Sequence, residues 1–188
     1  MTRSPEEDSH SRRTLLTAGA ATTAGLLAAC SGSKPLRLKV RTGATVQRAD
    51  VSVLNGLLDL EHRTIAAYAA GIPLLRRPAA KAAQQFLAQE LAHAQALTDL
   101  VKKAGGKPDK PDASYNLGRP ATEAQVLTLL RGLEDRQLAA YLASTPLLTP
   151  GKLRSAVAAI FANDAQHVAV LREQLGQPGV PAAFVTGG

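Results

Sequence analysis

Six residues of this chain have the types and spacing to hold metal ions. Glu61 lies in the block Leu60-Glu61-His62-Arg63-Thr64-Ile65-Ala66-Ala67-Tyr68. Glu134 lies in a second block, Leu133-Glu134-Asp135-Arg136-Gln137-Leu138-Ala139-Ala140-Tyr141, offset by 73 residues. Pro73-Leu74-Leu75 follows the first block and Pro146-Leu147-Leu148 follows the second at the same offset. Downstream of each Glu comes an acid-x-x-His pair: Glu90 with His93, then Asp164 with His167.

Residues three apart share one face of a helix, so both members of each pair can reach one metal ion. A Glu from each of two helices, plus an acid-x-x-His from each of two others, is close to the ligand set of a carboxylate-bridged two-metal site in a four-helix bundle. Each acid also falls within an apolar stripe. Glu61 lies among Leu54, Leu57, Leu58, Ile65, Tyr68 and Ile72; Glu90 and His93 among Phe86, Leu97 and Val101. Glu134 lies among Leu127, Leu130, Leu138 and Tyr141; Asp164 and His167 among Val157, Ile160, Leu171 and Leu175. Four carboxylates in one core need positive charge to balance them, since a lone buried carboxylate protonates or finds a partner. Two divalent cations supply that balance, and a carboxylate–imidazole set suits iron or manganese. The opposing reading is a scaffold that keeps these acids as buried structure and binds no metal. His62 adjoins Glu61 and should point away from it, to the surface or to a place behind the ligands. Tyr68 and Tyr141 each follow a Glu by seven residues on the same face. They read as core residues whose hydroxyls bond a ligand carboxylate, with a redox role as the alternative.

The elements that must position these groups are helices. The chain has 188 residues, no Trp and 3 % aromatics, so its core is built of Leu, Ala, Val and Ile, a composition that favours helix. The first helix is expected from about Asp50, its N-cap, to Ala70. The second begins near Pro78 and ends at Gly105-Gly106. The third opens on Thr122-x-x-Gln125, a capping box. The fourth opens on Thr149 as cap with Pro150 behind it, and ends at Gly176. Short turns join the first helix to the second and the third to the fourth. The Pro/Gly-rich stretch from Gly106 to Pro120 is long enough to run the length of a bundle. The expected fold is all-α: two antiparallel helical hairpins joined by a long crossover. The expected boundaries are a basic linker over 31–49, the bundle over 50–176 and a tail over 177–188. Pro35 to Val40 alternates with period two, so a short strand there is open.

Residues 1–30 read as an export segment rather than as part of the fold. Ser11-Arg12-Arg13-Thr14-Leu15-Leu16 resembles a twin-arginine signal. Leu27-Ala28-Ala29-Cys30 resembles a lipoprotein cleavage box, in which Cys30 becomes the lipidated N-terminus. Cys30 is the single Cys of the chain, which excludes internal disulfides and Cys-ligated metal sites. The expected partners are therefore the twin-arginine export machinery and, through the lipid, the outer face of the cell membrane. The net charge of +7 owes nothing to this segment, where Arg3, Arg12 and Arg13 cancel Glu6, Glu7 and Asp8. Nucleic acid is not an expected partner, because no aromatic-rich binding motif accompanies the charge. A homodimer stays open.

The Leu-Glu-His and Leu-Glu-Asp blocks, the two acid-x-x-His pairs and the tail Val180-Pro181-Ala182-Ala183-Phe184 together resemble the exported bacterial ferritin-like domain proteins, over roughly residues 50–184. The resemblance implies a ferritin-like four-helix bundle. It implies Glu61, Glu90, His93, Glu134, Asp164 and His167 as ligands of two iron ions, with manganese as the alternative. Glu is usual at the position of Asp164, and the shorter Asp puts bridging there in doubt. Two function classes follow: an extracytoplasmic di-metal oxidase acting on iron with dioxygen or peroxide, or a non-catalytic envelope lipoprotein with a degenerate site. A storage cage conflicts with a lipid anchor on every subunit. Nucleophilic hydrolysis finds neither a Cys nor a Ser elbow motif.

Overall fold

A computed structural model describes residues 43–187, with side chains from Gln47 onward. The twin-arginine pair Arg12 and Arg13, the lipidation residue Cys30 and the Pro35–Val40 alternation lie outside the described residues. Four helices make up the described fold: α1 over Gly43–Gly71, α2 over Arg77–Lys103, α3 over Glu123–Ser144 and α4 over Gly151–Gln174. A single 3-10 turn carrying Pro73 follows α1, and one carrying Pro146 follows α3. No helix among the described residues is long and apolar enough to cross a membrane.

The helix ends follow local chemistry. Thr122 and Gln125 form the expected reciprocal capping box on α3. Gly105 and Gly176 take φ of 78° and 70°, the left-handed backbone that glycine adopts without strain. The Gly106 and Gln177 amides then bond back to Val101 and Arg172 carbonyls, closing α2 and α4 in Schellman fashion.

Two expectations about helix starts are corrected. α1 begins at Gly43, inside the segment read as linker. Asp50 is therefore not its cap: it is buried inside α1, and its Oδ1 accepts the Thr149 amide at 3.1 Å, across the bundle. Thr149 in turn does not cap α4, where Pro150 holds the cap position without a side-chain bond.

The two hairpins are related by an approximate two-fold operation that the 73-residue offset expresses. Asp50 on α1 accepts the amide ahead of α4, and Glu123 on α3 accepts the Arg76 amide ahead of α2 at 3.1 Å. Tyr141 on α3 donates to Glu61 on α1, and Tyr68 on α1 donates to Glu134 on α3. Thr64 and Gln137, the matching residues at the centre, bond each other at 2.8 Å. Going up α1, Glu61, Thr64 and Tyr68 meet Tyr141, Gln137 and Glu134 going down α3, so these helices run antiparallel. That arrangement requires the 104–122 segment to travel back along the bundle, and no helix forms within it.

The core lies in two apolar clusters. One gathers Leu54, Leu57, Leu58, Leu97, Val101, Leu148 and Val157. The other gathers Ala67, Phe86, Leu127, Leu130 and Leu171. The charged residues occupy the middle of the bundle between them.

Candidate metal centre

α1 and α3 each contribute one Glu, and α2 and α4 each contribute an acid and a His one turn apart. Glu61, Glu90, Glu134, Asp164 and His167 are all 0 % exposed, and the His93 side chain is 12 % exposed. All six residues singled out from the sequence thus meet at one place. Their donor atoms form two overlapping groups: Glu90, Glu134, Asp164 and His167, then Glu61, Glu90 and His93, each within 4.8 Å. Glu90 belongs to both. Its Oε1 lies 3.1 Å from His167 Nδ1 and 3.7 Å from His93 Nδ1. Asp164 also reaches both rings, with Oδ1 3.3 Å from His93 Nδ1 and 4.0 Å from His167 Nδ1. The shorter side chain still spans the gap between the two histidines.

The surrounding hydrogen bonds hold the outer sides of these groups. Tyr141 donates to Glu61 Oε1, and Tyr68 donates to Glu134 Oε1 at 2.5 Å. Gln137 Nε2 donates to Glu90 Oε2 at 3.0 Å. His167 Nε2 meets Gln89 Oε1 at 2.8 Å, which leaves Nδ1 for the carboxylates. Burial pushes His93 below its ordinary value, against which Glu90 and Asn163 favour its charged form. Gln89 and Asn163 stand immediately before the two acids, so each hairpin steadies the histidine of the other. The His167 ring also stacks on Phe86, with centroids 4.1 Å apart.

The inner atoms are left without hydrogen bonds: Glu61 Oε2, Glu90 Oε1, Glu134 Oε2, both Asp164 oxygens and His93 Nδ1. Buried polar atoms are ordinarily paired. Oxygen and imidazole donors converging unpaired on a shared space, with the outer sides of Glu61, Glu90, Glu134 and His167 already bonded, form a donor set that fits a pair of divalent cations.

Without an ion, the cluster balances its charge with protons. Burial, then the negative charges of Glu90 and Asp164, push Glu61 well above the ordinary carboxylate range. Burial, then Glu90 and Glu134, push Asp164 up to about 9. Burial and Glu90 raise Glu134 to about 7. Burial acts the same way on Glu90, but the neighbouring His167 and Glu61 and the Gln137 amide outweigh it and hold Glu90 below its ordinary value. Burial disfavours the charged His167, yet its bond to Glu134 and the nearby Glu90 carboxylate raise it to about 10. A metal ion bound here would displace protons from Glu61 and Asp164.

The tyrosines were legible from their seven-residue spacing. His62 is outside the cluster, half-buried beside Asp59, as its position next to Glu61 implied. The residues missed were Gln89, Asn163, Thr64 and Gln137. A signal for two of them existed, namely the amide directly ahead of each acid. Thr64 and Gln137 follow their Glu by three residues, on the buried face.

The ferritin-like domain pattern matches residues 49–177. The chain belongs to the ferritin-like domain family. Among solved structures, this ferritin-like chain is similar to a conserved hypothetical protein from Mycobacterium tuberculosis, at 18 % identity and a TM-score of 0.66. The match covers 76 % of this chain and 99 % of that one. At that identity the likeness concerns the fold. No curated protein matches the ferritin-like chain in sequence.

Proposed function

We propose that Glu61, Glu90, His93, Glu134, Asp164 and His167 hold two divalent metal ions, iron or manganese, and that the protein is an extracytoplasmic metal-dependent oxidoreductase. The observation that carries this reading is the set of buried, unpartnered carboxylate and imidazole atoms facing one another at the middle of the bundle. Iron or manganese bound there would supply the electrons for reducing dioxygen or peroxide.

The chain's own residues prepare the place. Glu90 and Asp164 reach the histidines of both hairpins, so each can be shared between two ions. Glu61 and Glu134 each reach one group, and tyrosine hydroxyls fix their orientation. Gln89 turns the His167 ring so that Nδ1 faces inward. The apolar clusters above and below keep bulk water from the carboxylates, which strengthens their hold on a cation. The lipoprotein box at Cys30 and the Arg12-Arg13 pair would place this domain outside the membrane on a lipid anchor. Export of folded, metal-loaded protein by the twin-arginine route accords with that order of assembly.

The test is metal analysis of purified full-length protein produced with iron and manganese available. About two equivalents per chain are expected. Less than about 0.2 equivalent, with no uptake on anaerobic Fe(II) titration, overturns the reading. The chain would then be a helical envelope lipoprotein that retains these acids as structure.

A further inference from the structure

The approximate two-fold symmetry of the bundle fails at one contact, and that failure bears on how metal would be held. Thr64 and Gln137 occupy matching positions, 73 residues apart. They meet at the centre of the bundle, where Thr64 is 1 % exposed and Gln137 is 0 %. Gln137 spends its amide in two directions. Oε1 accepts from Thr64 Oγ1 at 2.8 Å, and Nε2 donates to Glu90 Oε2 at 3.0 Å. Thr64 is too short to make the mirrored bond to Asp164, and both Asp164 oxygens are unpartnered. One of the two carboxylates that reach both histidines is braced, therefore, and the other is not.

We propose that Gln137 is a positioning residue that fixes Glu90 as the permanent shared ligand of the two metal positions and leaves Asp164 as the adjustable one. The inference rests on the metal-site reading above. With Oε2 tied to Gln137, the Glu90 carboxylate presents Oε1 between His167 and His93. The Thr64 hydroxyl keeps the amide turned so that its NH2 side faces Glu90. A carboxylate held this way loses little freedom when an ion arrives, whereas Asp164 must be ordered by the ion itself. Glu90 also belongs to both donor groups, so loosening it weakens both positions, not one.

The experiment is anaerobic titration of the full-length protein with Co(II), followed by calorimetry and by the visible cobalt bands. Gln137→Leu keeps the volume and removes both bonds. We expect it to bind cobalt about 10–100-fold more weakly with helical content unchanged, the range typical of a lost outer partner to a metal ligand. Thr64→Val removes only the bond that orients the amide, and should shift affinity the same way by less. The cobalt bands should change in both variants, because Glu90 is no longer held in one geometry. Cobalt affinity within about twofold of the parent, with unchanged bands, overturns the proposal even if the melting temperature falls. If Gln137→Leu does not fold, Thr64→Val decides: weaker binding supports the proposal and unchanged binding overturns it. A parent protein that takes up no cobalt overturns the metal reading itself, and this inference with it.

Discussion

At the scale of single residues, burial and pairing decide what each ligand candidate contributes. Glu90 is braced, shared between both donor groups and fully buried. Glu90→Ala should therefore abolish bound metal while far-UV circular dichroism stays helical; retained metal would contradict the assignment. Asp164 spans the histidines with one methylene less than a Glu and has no hydrogen bond to steady it. Asp164→Glu should bind Mn(II) at least as tightly as the parent in a calorimetric titration. Tyr141 donates to Glu61 and opposes the burial that raises its pKa. In Tyr141→Phe the carboxyl holds its proton more firmly, so metal must work harder to displace it. An affinity lower by about tenfold or more is expected by the same titration.

At the scale of elements, one contact type recurs at two places in different surroundings. Asp50 and Glu123 are the matching acids on α1 and α3, and each accepts an amide from the turn ahead of the opposite hairpin's second helix. Asp50 is 2 % exposed, whereas Glu123 pairs with an Arg76 side chain that is 87 % exposed. Asp50→Ala leaves the Thr149 amide without its acceptor in a partly buried setting, and should cost about 1–2 kcal/mol in urea unfolding. Glu123→Ala acts on a solvated pair and should cost measurably less. Equal effects at the two sites would show that burial does not discriminate between them.

At the scale of the whole molecule, the metal-free domain should respond to pH in a definite direction. Asp164 has a folded pKa of about 9 against an ordinary 3.8, and His167 about 10 against 6.5. Both are raised, so the folded state binds more protons than the unfolded state between these limits. Stability is then lost as pH rises. Glu134, raised to about 7, loses its proton through the start of the window from pH 7 to 9 and adds to the loss. His93 and Glu90 are shifted downward and act only below 6.5 and 4.5. From pH 7 to 9 no group of the cluster opposes the trend. The melting temperature of the metal-free protein should fall across that window. It should stay level with Mn(II) bound, because the ion takes the place of the protons.

Much of this was legible in the chain before any coordinates. The ligand candidates repeat at fixed spacing, and helical periodicity alone puts each acid on its apolar face, so Glu61, Glu90, His93, Glu134, Asp164 and His167 could be named. The Thr122 capping box and the glycines ending α2 and α4 are local chemistry, carried by residues a few positions apart. What the sequence could not settle involves partners far along the chain. Asp50 looks like a helix cap by its neighbours, but its partner Thr149 is 99 residues away. The crossing of Tyr68 to Glu134 and Tyr141 to Glu61, the amides behind the histidines, and the Thr64–Gln137 contact all depend on how two hairpins dock. Spacing along a helix dictates which side chains share a face. Only the packing of one helix against another decides which atoms meet, and so which of two nearly equivalent carboxylates is held in place.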